Sequence, residues 1–189
     1  MNTSALGLTL LLASCSAVAT PEQAGAPARN HRISLYLGQR NLDEDAHDPV
    51  DEQFMFGIEY ARERAGDALG FEIGTMNSFR EDSVAGADVE GATGEIYAGV
   101  KKTFGQDVVR PYVGGGLSYI TAVADGSGFD IEHDSSLAAY LHGGVGFQVS
   151  DRVVLGLDAR FLFGSEVTLF GVETDADYGQ LAVFIGFGF

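Results

Sequence analysis

The chain has 189 residues, which is enough for one domain once an export segment has been removed. Its 27 acidic and 11 basic residues give a formal net charge of −16, and this charge excludes non-specific binding to nucleic acid. A single cysteine excludes an internal disulfide framework. No stretch after residue 20 reaches the roughly 18 apolar residues that a membrane helix needs.

The first 19 residues have the features of an export signal. The apolar run of residues 5–13 is too short to span a bilayer and has the length of a signal-peptide core. It leads into Leu12-Ala13-Ser14-Cys15, which resembles the lipobox of bacterial lipoproteins and implies acylation of Cys15. The alternative is ordinary cleavage after Ala19, at an Ala-x-Ala site. Residues 20–31 are rich in Ala, Pro and Gly and are predicted to form a flexible linker.

From residue 32 onward the hydrophobicity repeats every two residues, which is typical of β-strands. There are eight such runs, close in length to the roughly 9–11 residues of a tilted membrane strand. The runs are residues 32–40, 53–62, 69–76, 93–104, 109–119, 137–149, 153–164 and 178–189. We therefore predict an all-β fold over residues 32–189, an eight-stranded antiparallel up-and-down transmembrane β-barrel.

The two faces of these runs differ in side-chain size. One face carries large aliphatic residues and Phe, whereas the other carries charges and many glycines. Large apolar side chains suit lipid, and small ones suit the narrow inside of an eight-stranded barrel. A soluble barrel of the lipocalin type would have its charges outside. The sequence therefore favours a barrel whose apolar face is turned to lipid.

The connections between the runs alternate in length. The short ones are residues 63–68, 105–108 and 150–152, and the long ones are residues 41–52, 77–92, 122–136 and 165–177. Outer-membrane barrels have short periplasmic turns and long extracellular loops. We therefore expect the outer membrane of a Gram-negative bacterium, with both termini periplasmic and the long loops extracellular.

Several segments resemble the small bacterial outer-membrane β-barrel superfamily, including the OmpA-type transmembrane domain and the opacity-like proteins. They are residues 110–117 (RPYVGGGL), residues 143–147 (GGVGF), residues 155–161 (LGLDARF) and the ending VFIGFGF. In that superfamily, a final Phe with apolar residues at alternate positions before it is the signal for the barrel-assembly machinery. The resemblance implies this role for Phe189, with outer-membrane lipid and lipopolysaccharide as surroundings.

Charged residues occur on the face predicted to line the barrel. They are Glu59, Glu72, Glu95 and Asp158 against Arg40, Lys101, Arg110 and Arg160. Because buried charges must pair or be neutralised, we predict a structural network of Glu59, Glu72, Glu95, Lys101, Asp158 and Arg160. In this network Arg160 neutralises Glu59 and Glu72. The alternative is a carboxylate dyad for acid–base catalysis. His142 is expected to be a packed polar residue.

His133-Asp134-Ser135 is the other candidate for chemistry. Lipid A deacylases, which are also eight-stranded outer-membrane barrels, carry a similar His-x-Ser pair, and a Ser beside a His base could attack an acyl ester. The Asn that follows the Ser in that family is replaced here by Ser136. The neighbouring acids favour a solvated loop. No catalytic, cofactor-binding or metal-binding residue is predicted.

The acidity is concentrated in the four long connections. They contain 18 acidic residues, and Arg80 is their only base. Such a surface could bind Ca²⁺ or Mg²⁺ through carboxylates, or it could be a solvated, repulsive exterior. We predict a non-enzymatic integral outer-membrane protein that acts in envelope integrity or in surface interaction with an unidentified extracellular ligand. The alternatives are a lipid-modifying enzyme, similar to the lipid A deacylases, and a narrow conduit for small apolar solutes.

Overall fold

The computed structural model describes residues 30–42, 50–63, 68–84, 87–105, 108–126, 132–169 and 172–189. The predicted signal segment, with Cys15, and nearly all of the predicted linker lie outside these residues. Among the described residues, no helix is long and apolar enough to cross a membrane.

Ten strands make up the described structure. They are β1 (His31–Leu42), β2 (Glu52–Arg62), β3 (Gly70–Val84), β4 (Ala87–Thr103), β5 (Val109–Gly126), β6 (Glu132–Gln148), β7 (Val153–Phe163), β8 (Glu166–Leu169), β9 (Val172–Asp175) and β10 (Tyr178–Gly188). Eight of them form a closed barrel in the order β1-β10-β7-β6-β5-β4-β3-β2. Every neighbouring pair is antiparallel. The predicted fold is therefore confirmed.

The barrel has an apolar outside and a filled inside. Outward side chains such as Leu181 and Ile96 are 70% and 64% exposed, whereas the inward Tyr36 and Met55 are buried. An apolar surface of this extent is unfavourable in water and favourable in hydrocarbon. The alternation read from the sequence therefore corresponds to a lipid-facing belt around a packed interior.

Two of the long connections are mostly strand. β3 pairs with β4 as far as Val84 opposite Ala87, and β5 pairs with β6 as far as Ala124 opposite Glu132. The expectation of loops at residues 77–92 and 122–136 was wrong in this respect. In this part of β6 the outward residues His133 and Ser135 are polar, and so are the inward residues Asp134 and Ser136. The hydrophobic repeat therefore stops although the backbone pairing continues.

A hairpin of β8 and β9 lies against the upper part of β6. The backbone N–H of Thr168 donates to the Asp134 carboxylate at 2.7 Å, and that of Glu166 donates to the Ser136 hydroxyl at 3.0 Å. Val167 is buried. Because Asp134 and Ser136 lie on the inward face of β6, the hairpin covers the inner wall of the barrel at its long-loop end.

The barrel closes where β1 meets β10. Arg32 pairs with Gly188, and the N–H of Phe189 donates to the carbonyl of His31 at 3.0 Å. The His31 ring stacks on the rings of Phe189 and Tyr60, with centroids 5.7 Å and 6.0 Å away. The last residue of the chain is thus part of the closing seam.

Candidate functional site

The inside of the barrel contains two clusters of buried side chains, one nearer each end. Inward positions alternate with lipid-facing ones along every barrel strand, so a charged residue at an inward position is enclosed by the other strands. The loop-side cluster consists of Arg40, Glu95, Arg160, Tyr178 and Gln180. The turn-side cluster consists of Glu59, Glu72, Lys101, His142 and Asp158.

Glu95 on β4 is the centre of the loop-side cluster. Its Oε1 accepts a hydrogen bond from Nη2 of Arg160 at 2.6 Å, and its Oε2 accepts one from Nη2 of Arg40 at 3.1 Å. The Tyr178 hydroxyl also donates to Oε2. Since the two arginines belong to β7 and β1 and Tyr178 belongs to β10, one carboxylate on β4 joins four strands. Partners of this kind offset the free-energy cost of burying a carboxylate.

Aromatic rings cover both guanidinium groups. Cζ of Arg160 lies 3.9 Å from the ring centroids of both Tyr97 and Tyr140, and Cζ of Arg40 lies 3.8 Å from that of Tyr178. Desolvated cation–π contacts contribute about 2 kcal/mol each. The rings therefore stabilise the arginines in addition to the ion pairs.

Lys101 is shared by two carboxylates of the turn-side cluster. Its Nζ lies 2.8 Å from Oε1 of Glu59 and 3.6 Å from Oε2 of Glu72. Tyr97 donates to the other oxygen of Glu59 at 3.0 Å, and Tyr140 donates to Oε1 of Glu72 at 2.7 Å. The same two tyrosine rings cover a guanidinium group of the loop-side cluster, so they link the two clusters.

His142 lies between two carboxylates. Its Nδ1 is 2.9 Å from Oδ2 of Asp158, and its Nε2 is 3.0 Å from Oε1 of Glu72. Tyr112 donates to the same Asp158 oxygen at 2.6 Å. A neutral imidazole has one N–H, so both contacts are hydrogen bonds only when the ring is protonated. With His142 protonated, the two clusters taken together hold equal numbers of positive and negative charges, although neither cluster is neutral by itself.

All six residues of the predicted interior network are buried inside the barrel, but their pairing differs from the prediction. Arg160 contacts Glu95, and Lys101 is the residue that contacts Glu59 and Glu72. The prediction that Arg160 neutralises both glutamates was therefore wrong. Strands of a barrel are staggered and tilted. The position of a residue in the sequence therefore does not tell which residue lies opposite it across the lumen.

The sequence analysis missed four tyrosines that hydrogen-bond to the acids of the clusters. Tyr97, Tyr112, Tyr140 and Tyr178 each donate a hydrogen bond to a buried carboxylate. The signal that could have identified them is the same alternation that identified the acids, because each tyrosine occupies an inward position of its strand.

Several interior rings lie directly over glycines of other strands. A Cβ on Gly74 would be 2.6 Å from the Tyr97 hydroxyl, and a Cβ on Gly99 would collide with the Tyr140 hydroxyl. The same holds for Gly156, which faces the ring of Phe184. The glycines noted on the inward face thus provide the space into which the large side chains fit.

The His133-Asp134-Ser135 segment lies in β6 and not in a loop. His133 and Ser135 both occupy outward positions above the belt, and Ser135 shares a hydrogen bond with the Thr121 hydroxyl at 2.8 Å. Among the described residues, no hydrogen bond joins His133 to Ser135. The geometry therefore lacks the base–nucleophile contact that a catalytic pair usually shows.

Comparison with known proteins places these observations in a family. The family described as outer membrane protein beta-barrel domain matches residues 10–189. No curated protein matches the chain in sequence.

Solved structures resemble the barrel in fold. The crystal structure of Neisserial surface protein A has 18% identity and a TM-score of 0.61, covering 88% of this chain and 100% of that one. Ail, the attachment invasion locus protein of Yersinia pestis, in complex with the heparin analogue sucrose octasulfate, has 18% identity and a TM-score of 0.61, covering 84% and 97%. The N-terminal β-barrel domain of Pseudomonas aeruginosa OprF has 12% identity and a TM-score of 0.52, covering 85% and 98%.

Proposed function

Because the chain belongs to the outer membrane protein β-barrel domain family, we propose that it is a non-enzymatic surface protein of the Gram-negative outer membrane that binds cationic partners through its long-loop end. The barrel anchors this surface in the lipid and adds to the integrity of the envelope. The observation that carries the proposal is the combination of strands that continue beyond the lipid-facing belt with acidic residues concentrated at the same end.

The filled interior supports a role at the surface over a role as a conduit. A small apolar solute moving along the axis would have to pass both charged clusters, which cross the lumen from several strands. At the long-loop end, Val167 and Ala176 are also buried. Separating buried ion pairs costs several kcal/mol, which does not suit the passage of apolar molecules.

The acidic rim is the surface that we propose to bind. It is defined here by five exposed side chains at the long-loop end, namely Glu52, Glu81, Glu90, Glu166 and Asp175. A groove of about 550 Å³ runs from this rim down to the belt, where Phe54 and Phe79 pack edge to face with centroids 5.8 Å apart. The charged residues that line it are Glu52, Glu81 and Arg80. The groove therefore offers two carboxylates and one guanidinium group next to an exposed aromatic pair.

The sign of the charge indicates the class of partner. The four long connections have a formal charge of −17. Like charges repel an approaching ligand and opposite charges attract it. Ail was crystallised with sucrose octasulfate, a polyanion, whereas the charge of this chain favours a polycation.

A binding experiment with the protein in nanodiscs of zwitterionic lipid tests this proposal. Fluorescent poly-lysine should bind the wild-type protein, and the affinity should fall as salt is added. Replacing the five rim acids by their amides should weaken binding by about fivefold or more, because five surface ion pairs of about 0.2–1 kcal/mol each are lost. The matched control is Asp151→Asn, an exposed acid in a short turn.

Two outcomes would contradict the proposal. One is equal affinity of the wild-type protein and the rim variant for poly-lysine. The other is tighter binding of sucrose octasulfate than of poly-lysine. Either would mean that the acidic rim is not the binding surface.

The orientation of the barrel is tested separately with an epitope tag. A tag inserted between residues 85 and 86, in the connection from β3 to β4, should bind antibody on intact cells. A tag inserted between residues 150 and 151, in a short turn, should bind antibody only after the outer membrane is permeabilised. The reverse pattern would place the acidic rim in the periplasm.

A further inference from the structure

Three side chains of the turn-side cluster present donor atoms that metal ions use. The carboxylate oxygens of Glu59 and Glu72 and a ring nitrogen of His142 all lie within 4.8 Å of one another, and all three side chains are buried. We propose that these three residues form a binding site for a divalent transition-metal ion inside the barrel. Two carboxylates and one imidazole suit ions of the Zn²⁺ and Mn²⁺ class.

His142 is already held in the orientation that a metal ligand needs. Its Nδ1 contacts Asp158 at 2.9 Å, and Tyr112 fixes the same carboxylate at 2.6 Å. This leaves Nε2 directed at Glu72, 3.0 Å away. A carboxylate behind the histidine is the usual outer-shell partner of a metal-bound imidazole, because it sets the tautomer and the ring plane.

The charge of the turn-side cluster also favours a cation. Glu59, Glu72 and Asp158 contribute three negative charges and Lys101 contributes one positive charge, which leaves an excess of two negative charges. The loop-side cluster, with two arginines and Glu95, has one positive charge that offsets part of this excess. A cation beside the two glutamates therefore has favourable electrostatics.

Lys101 occupies the space between the two glutamates and competes with a metal ion for them. Its Nζ lies 2.8 Å from Glu59 and 3.6 Å from Glu72. If the cluster is a metal site, removing the ammonium frees both carboxylates and strengthens metal binding. If the cluster is only an ion-paired network, removing the ammonium leaves buried charges that no metal relieves.

A column of polar atoms on β1 connects the short-turn end with this cluster. Nε of Arg32, Oγ of Ser34 and the hydroxyl of Tyr36 are buried and have no hydrogen-bond partner within the described protein. Ser34 is directly opposite Glu59 in the register of β1 and β2. Buried polar groups of this kind require solvent partners. The column would therefore offer polar atoms to an ion that enters from the short-turn end.

The experiment measures zinc retention by the full-length protein, folded in detergent micelles and dialysed against Zn²⁺. We expect about one ion per barrel for the wild-type protein and none for His142→Ala. The control is His133→Ala, which removes an exposed histidine outside the site and should retain the ion. Co²⁺ in place of Zn²⁺ should give a visible absorption band in the wild-type protein that His142→Ala lacks. Equal zinc content in the wild-type protein and His142→Ala would overturn the proposal.

Lys101→Met supplies the second measurement. The yield of folded Lys101→Met barrel should rise with added Zn²⁺. Its affinity for the ion should exceed that of the wild-type protein by about tenfold, which corresponds to about 1.4 kcal/mol, because the ammonium group no longer competes with the ion. Lys101→Met combined with His142→Ala should not respond to the metal. A Lys101→Met yield that is independent of Zn²⁺ would also overturn the proposal, because it would leave the cluster as an ion-paired network.

Discussion

Replacing Glu95 by Gln is expected to destabilise the barrel strongly. The change removes the only carboxylate that Arg40 and Arg160 contact in the loop-side cluster, at 3.1 Å and 2.6 Å. Gln has the same shape, so no cavity is added. Breaking a buried ion pair by removing one partner costs about 3–5 kcal/mol. We expect a loss near 3 kcal/mol, because aromatic rings still cover both guanidinium groups and the amide still accepts one hydrogen bond.

The assay for this prediction is equilibrium unfolding in urea with the protein in lipid vesicles. The chain contains no Trp, so the folded fraction is followed by circular dichroism and by the gel mobility of unheated samples. Glu81→Gln, on the exposed rim, is the matched control and should change stability by less than about 0.5 kcal/mol. Glu95→Gln combined with Arg160→Met should cost less than the sum of the two changes, since one unpaired guanidinium is removed. A Glu95→Gln protein within about 0.5 kcal/mol of wild type would refute the reasoning.

Four other changes test separate parts of the structure. Deletion of Phe189 should lower the amount of inserted barrel in outer-membrane fractions, and unchanged levels would argue against an assembly signal at the closing seam. Cys15→Ser should abolish labelling by a palmitate analogue, whereas normal processing would favour cleavage at the Ala-x-Ala site. Gly99→Ala should cost about 1–3 kcal/mol in urea unfolding because the added methyl group would collide with the Tyr140 hydroxyl and with the backbone carbonyl of Gly115. Gly94→Ala on the same strand, whose nearest neighbour would be 3.6 Å away, should be tolerated. Ser135→Ala should leave the lipid A profile of the cells unchanged, and an altered profile would revive the enzyme hypothesis.

The fold could be predicted from the sequence because one physical constraint governs every barrel strand. A residue on a membrane strand faces either lipid or the interior of the barrel, so its polarity indicates which of the two it faces. The alternation placed Glu59, Glu95 and Arg160 on the inward face, where the structure has them. The constraint applies only within the apolar belt. β6 begins at Glu132, and above the belt both of its faces are polar. For that reason the sequence analysis placed its first residues in a loop.

The partners inside the barrel could not be predicted in the same way. Contacts between neighbouring strands follow from register, but Arg160 on β7 meets Glu95 on β4, and two other strands separate them in the barrel wall. The tilt and shear of the closed sheet determine which residues of opposite strands lie at the same height in the lumen. The partners of His142 depend on the same quantities, and for that reason a residue expected to be merely packed lies between two carboxylates.

The fit of interior rings over glycines has a consequence for how such a barrel can change in evolution. A side chain added at Gly74 or Gly156 would meet both a ring and a backbone carbonyl of the neighbouring strand, which would lie 2.6 Å and 2.5 Å from the added Cβ. Shortening Tyr97 or Phe184 removes the ring and leaves an unfilled space, but the carbonyl remains. The glycine therefore cannot be exchanged even when its ring partner changes. A library randomised at either glycine should return mostly Gly, whether or not the ring position is randomised with it.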